Sequence, residues 1–403
     1  MPIPLHPEWD ALQAAEARLV EYYLDYATEQ RRSFLALEEE WDNLNAGIET
    51  ADRLGLQEQV IAFGDVLTEA WFARGRFTVA RHNYPLVMRA ALALEEQDPY
   101  IAASLNWGKA CIDQGDYAEA EEHLQHGLQT SREVNDEYGI ANALFLLGRV
   151  AVERSEYDAA QKYLTESQTI RERIGDRAGV AETLYMQARI KYRSFNYLDT
   201  EKFALQALEI QKSQRISQSY IVTLRLLAIS ASDKGDNNLA KEYIQRALKT
   251  SIETQDASEQ AAAFYNASII FRREQNLNSS LEYAERSLSF LNRMGDRKAK
   301  ANVLNQISRI YADLNETASA IRYGQESLQL YKELKDRQGI TIISLHLGDI
   351  LETSGQRERA CQLWSEALPF AASVKHPLAT ALEEKLEQNC SESNFQKPIA
   401  LPP

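Results

Sequence analysis

A 40-residue step repeats through most of this 403-residue chain. Gly115-Asp116-Tyr117-Ala118-Glu119-Ala120 is answered one step later by Ser155-Glu156-Tyr157-Asp158-Ala159-Ala160. The same slot then holds Phe195-Asn196-Tyr197, Gly235-Asp236-Asn237, Gln275-Asn276-Leu277, Asn315-Glu316-Thr317 and Gly355-Gln356-Arg357, and one step back it holds Gly75-Arg76-Phe77. A small residue closes it at Ala80, Ala120, Ala160, Thr200, Ala240, Ser280, Ala320 and Ala360. A fixed period of this size calls for a stack of like units, each touching only its neighbours, rather than a globular enzyme core.

Each unit reads as two helices. In the third, apolar Leu144, Leu147, Gly148 and Ala151 fall at helical spacing on helix A. Helix B runs from Tyr157 to Ile174, with Ala160, Tyr163, Leu164 and Ile170 on its inner side. Gly175 then ends the helix and Asp176 is placed to cap the next one. Gly108, Gly148, Ala188, Ala228, Ser268, Ser308 and Gly348 keep one A-helix position small, which is expected where two helices approach closely.

The composition agrees. Ten prolines and 17 glycines are few for this length, so helix can run throughout. A net charge of −15 argues against nucleic acid or an anionic membrane surface as partner. Cys111, Cys361 and Cys390 are too few and too scattered for a disulfide framework and suit a reducing compartment. The first residues lack the basic and apolar parts of a signal peptide, and no apolar run reaches the ~18 residues of a membrane span. A soluble, cytoplasmic chain is expected.

The pattern resembles the tetratricopeptide repeat (TPR). The likeness rests on the small residue late in helix A, the small residue early in B, and the later small-Leu pairs Gly127-Leu128, Ala207-Leu208, Ala247-Leu248, Ser287-Leu288, Ser327-Leu328 and Ala367-Leu368. The period departs from the family's usual 34 residues and is similar to the arrays of kinesin light chains, Rap-type peptide-sensing regulators and the sensors of STAND-class signalling NTPases. The resemblance implies an all-α, right-handed superhelical solenoid of about eight helix pairs over residues 57–375. Residues 8–55, with Leu37-Glu38-Glu39-Glu40-Trp41-Asp42-Asn43-Leu44, resemble the helical adaptor that joins a STAND NTPase to its sensor. Residues 376–390 read as a capping helix and 391–403 as a tail. No Gly-x-x-x-x-Gly-Lys-Ser/Thr occurs, so this sequence reads as a detached sensor, a fragment of a larger protein or a standalone relative, with an NTPase or effector as the candidate partner at the adaptor.

In TPR arrays helix A lines the concave wall. On that assignment the seven in-phase A segments carry +3 while the rest of the chain carries −18. The slot after the small A-helix residue holds Lys109, Arg149, Arg189 and Arg309, with Arg193, Arg225 and Arg273 on nearby inward slots. Asn142, Asn266, Asn302 and Asn305 stand among them, as do Tyr185 and Tyr265. Arginine grips a carboxylate with paired hydrogen bonds, and asparagine both donates to and accepts from an extended backbone. The set suits an acidic or extended peptide in a basic groove. The same arginines also suit cross-unit ion pairs with Glu153, Glu182 or Asp233.

No catalytic constellation can be assembled, and neither a cofactor nor a metal site is expected. The reading is a non-catalytic peptide- or protein-binding sensor or scaffold; the alternative is a Rap-like, peptide-switched regulator of transcription or phosphorelay.

Overall fold

The structure, a computed structural model, describes residues 7–213, 217–294, 296–373 and 378–390. The tail expected at 391–403 lies outside them. Twenty α-helices follow one another among the described residues. The chain divides into two compact units, residues 1–194 and 195–403.

The first unit opens with α1 (Pro7–Glu29), the short α2 (Phe34–Glu39) and α3 (Trp41–Arg53). It continues with α4 (Gln57–Ala73), α5 (Phe77–Ala93), α6 (Gln97–Gln114), α7 (Tyr117–Glu133), α8 (Glu137–Glu153), α9 (Tyr157–Ile174) and α10 (Arg177–Arg193). The second unit holds α11 (Tyr197–Ser213), α12 (Ser217–Lys234), α13 (Asn237–Glu253), α14 (Ala257–Arg273), α15 (Leu277–Met294), α16 (Arg297–Asp313), α17 (Thr317–Glu333), α18 (Arg337–Thr353), α19 (Arg357–Ser373) and α20 (Ala379–Asn389). None of these helices is long and apolar enough to cross a membrane.

A finer pulse underlies the 40-residue period. Among the described residues, 55, 75, 95, 115, 135, 155, 175, 195, 235, 255, 275, 315, 335 and 355 all have positive φ. One left-handed residue on this 20-residue step therefore reverses the chain after most of these helices. At Gly115 the turn is sealed by Asp116 N–H donating to the Cys111 carbonyl at 2.9 Å and Gly115 N–H to that of Ile112 at 3.0 Å. Side chains other than glycine fill many of these positions, among them Ser155 (φ 63°) and Phe195 (φ 56°). That is why glycine alone could not reveal the 20-residue pulse. After the turn an aspartate caps the next helix: Asp176, Asp256 and Asp336 each accept from the amide three residues on, at 2.9, 3.0 and 2.9 Å.

Helix partners follow the sequence. α8 packs on α9, α12 on α13, α14 on α15, α16 on α17 and α18 on α19. The small A-helix positions sit where expected: a side chain at Gly148 would run into Leu164, and one at Gly348 into the Trp364 indole. Ser308 Oγ fills the equivalent place by donating to the Ala320 carbonyl at 2.7 Å. Successive A helices also touch each other, α6 against α8 in the first unit and α12–α14–α16–α18 in the second, while B helices pack on the A helices beside them. Crowding on the A side and spreading on the B side make the A face the inner one within each unit.

The cysteines depart from expectation. Cys361 and Cys390 form a disulfide, with Cα atoms 5.9 Å apart, and Cys111 alone is free and buried. A spacing of 29 residues conceals this pair, because only the docking of α20 on α19 brings the two together.

Candidate functional site

The A-face cations are held mainly by a ladder of ion pairs between neighbouring helices. Arg149 on α8 reaches Asp113 on α6 at 3.1 Å. Arg189 on α10 reaches Glu153 on α8 at 3.0 Å, and Arg193 shares that carboxylate at 3.3 Å while donating to the Val152 carbonyl at 3.0 Å. Arg149 and Arg189 thus each find an acid 36 residues back, the distance that one repeat less one helical turn imposes. Burial pushes the Glu153 carboxyl up, but its two arginines outweigh this and hold it below the usual range.

Lys109 makes no such ion pair among the described residues. Its ammonium lies over the Phe72 ring, 4.2 Å from the centroid, and burial lowers its pKa. Asn142 and Tyr185 are half-buried on the same unit.

In the second unit Arg225 pairs with Glu259 at 2.7 Å and Arg273 with Asp233 at 2.5 Å. The ladder then breaks. The residue 36 before Arg309, in the register that gives Arg149 and Arg189 their acids, is Arg273. Arg309 is exposed and makes no ion pair or hydrogen bond among the described residues. Burial, then Arg272 and Arg273, lower its pKa, with Tyr265 and Asp313 opposing. The side chain is thus exposed while the protein around it still takes part of its hydration. Arg272 beside it is held by Asp313 at 2.6 Å.

The neutral groups around Arg309 are partly committed. His346 Nδ1–H donates to Asn305 Oδ1 at 3.0 Å, and Tyr331 OH donates to Asn302 Oδ1 at 2.5 Å. Among the described residues neither asparagine's amide N–H groups make a further hydrogen bond; Asn302 is half-buried, whereas Asn305 is buried at 9% exposure. Asn266 is half-buried, as is Tyr265, whose hydroxyl pKa is raised by burial against the pull of Arg309. His346 is held at about 3 by burial and then by Arg309 and Arg272, so it is neutral at neutral pH with a lone pair on Nε2.

The outcome for the expected residues is divided. Arg149, Arg189, Arg193, Arg225 and Arg273 all enter ion pairs, and Glu153 and Asp233 are the acids foreseen for three of them. Glu182 instead meets the buried Arg171 at 3.4 Å. Arg309 and Lys109 form no ion pair among the described residues, although Asp313 and Asp113 lie near enough to act on them. Sequence reasoning missed Arg272 and His346, although the 40-residue register leads from Asn266 to Gln306 and then to His346.

The tetratricopeptide repeat family model matches residues 100–173 and 259–333. No curated protein sequence matches the chain. Among solved structures, the Rap protein complexed with competence and sporulation factor is similar with a TM-score of 0.56 and 15% identity, covering 81% of this chain and 97% of its own. The apo form of RapI gives 0.54 and 14%, covering 72% and 99%. A STAND protein with a tetratricopeptide repeat sensor from Pyrococcus horikoshii gives 0.56 and 14%, covering 90% of this chain but only 55% of that one. At such low identity these TM-scores show a shared fold and nothing further. The tetratricopeptide match is confined to residues 100–173 and 259–333, and the all-α helix-pair fold continues on both sides of each segment.

Proposed function

We propose that this protein is a peptide-receiving regulator, whose second unit takes an acidic or extended peptide on the A-helix face of α14, α16 and α18. The observation that carries this reading is Arg309: an accessible cation on an inner wall, placed where the ladder supplies a second arginine instead of an acid. A peptide carboxylate would complete the ladder there. The amide groups of Asn266, Asn302 and Asn305 would meet the peptide backbone, and Tyr265 would offer rigid area with a polar tip. The Rap fold, solved with competence and sporulation factor bound, supports a peptide-switched regulator over a passive scaffold.

On this reading binding replaces catalysis, and α1–α3 are the output side, where an effector or NTPase would dock. The already paired Arg225 and Arg273 would shape this groove more than grip the ligand, while Lys109, Arg149, Arg189 and Arg193 belong to the A face of the first unit.

Fluorescence anisotropy with labelled synthetic heptapeptide pools, one acidic and one neutral, tests this. The acidic pool should bind the wild type and lose roughly tenfold or more in affinity to Arg309→Glu, the worth of one charge-assisted hydrogen bond. Equal binding of both pools, or an Arg309→Glu variant that binds like wild type, would refute it.

A further inference from the structure

We propose that Cys361–Cys390 is a thiol–disulfide exchange site that takes a small dithiol as its reductant and decides whether α20 stays docked on α19. The geometry of this end of the second unit carries the idea. Cys361 lies in α19 and is 3% exposed, whereas Cys390 directly follows α20 and is half-buried. The bond therefore fastens the residue just after α20 to the first half of α19.

Little else holds α20. It is 11 residues long, too short to be helical alone in water, and it fully buries only Leu382. Leu386 and Ala379 are partly buried against the same cluster. Its polar ties are Lys385 to Asp349 at 2.9 Å and to Glu352 at 3.3 Å, with Arg357 Nε donating to the Asn389 carbonyl. Such surface pairs contribute little. Beneath the helix lies Trp364, wholly buried, its ring 5.5 Å from the Lys385 ammonium. Undocking would open that indole to water.

The exchange balances. A dithiol thiolate attacks Cys390 Sγ, the more accessible sulfur, and forms a mixed disulfide. The Cys361–Cys390 bond breaks, and Cys361 leaves with the electron pair and takes a proton. The reductant's second thiolate then attacks its own sulfur in the mixed disulfide, closes a cyclic disulfide and releases Cys390 as a thiol. Two electrons pass to the protein, and a disulfide oxidant reverses the sequence.

The test uses the full chain, equilibrated with oxidised glutathione and then treated with dithiothreitol. Thiol titration of the denatured, unreduced protein should find one free thiol, Cys111, and reduction should raise it to three. Amide exchange over 379–389 should accelerate roughly 100-fold on reduction, as expected for opening a loop of this length. Trp364 emission should shift to the red, a change absent in Trp364→Phe. In Cys390→Ser, exchange over α20 should be fast with or without reductant while the other helices stay protected. Three thiols in the oxidised protein, or α20 exchange unchanged by reduction, would overturn the proposal.

Discussion

Arg309 stands to Arg273 in the register that Arg149 holds to Asp113 and Arg189 to Glu153, so a step that elsewhere joins opposite charges here sets two cations together. Arg309 therefore gains no native-state ion pair. Arg309→Gln should change stability in urea by no more than about 0.5 kcal/mol, with the sign toward stabilisation. A loss well beyond that would mean that Arg309 is structurally tied.

Glu153 is the counter-case. Its carboxylate serves Arg189 and Arg193 together and is largely shielded from water. Glu153→Gln strands two cations and should cost about 1–2 kcal/mol in chemical denaturation. Because the Glu153 pKa is depressed in the fold, its contribution is present above the ordinary carboxylate range and fades as pH falls through it. The wild-type advantage over Glu153→Gln should shrink in acid.

His346 predicts a pH dependence of the opposite chemistry but the same direction. Its pKa falls from 6.5 to about 3 on folding, so between these values the unfolded chain binds a proton that the native one refuses. Stability must therefore fall as pH drops below about 6.5, by at most about 1.4 kcal/mol per unit from this group. His346→Gln should flatten the difference between pH 6.5 and 5 while keeping a donor for Asn305. Parallel curves for the two proteins would contradict the assignment.

Glycine at the A-helix contact is not equally costly to replace. At Gly148 an added methyl meets the branched end of Leu164, at 2.8 and 2.9 Å, and the better helix propensity of alanine offsets part of the strain. At Gly348 it would overlap the rigid, fully buried Trp364 indole, whose Nε1–H donates to the Leu345 carbonyl at 3.3 Å. Gly348→Ala should cost about 1–3 kcal/mol, clearly more than Gly148→Ala, in parallel urea titrations.

Much of the fold was readable because local rules repeat. Helix B from Tyr157 to Ile174, its stop at Gly175 and the cap at Asp176 are all settled within a few residues, and the structure keeps each of them. The site was less readable. Slot counting picked out Arg149 and Arg309 alike, since both follow the small A-helix residue. What separates them is the residue on the neighbouring helix, and this needs the offset between helices rather than the repeat length. His346 was passed over because histidine does not share the chemistry of Asn266, although it shares its slot.

The sequence by itself determined a helical repeat, its period, its caps and the small contact positions, because periodicity, capping and close packing are local and recur with every unit. Only the tertiary structure decided which cations are spent and which remain. It took the offset between neighbouring A helices to place Asp113, Glu153 and Arg273 under successive arginines, and the docking of α20 to join Cys361 to Cys390. Charge pairing and cross-linking depend on distances between segments, and no count along a single chain contains those distances.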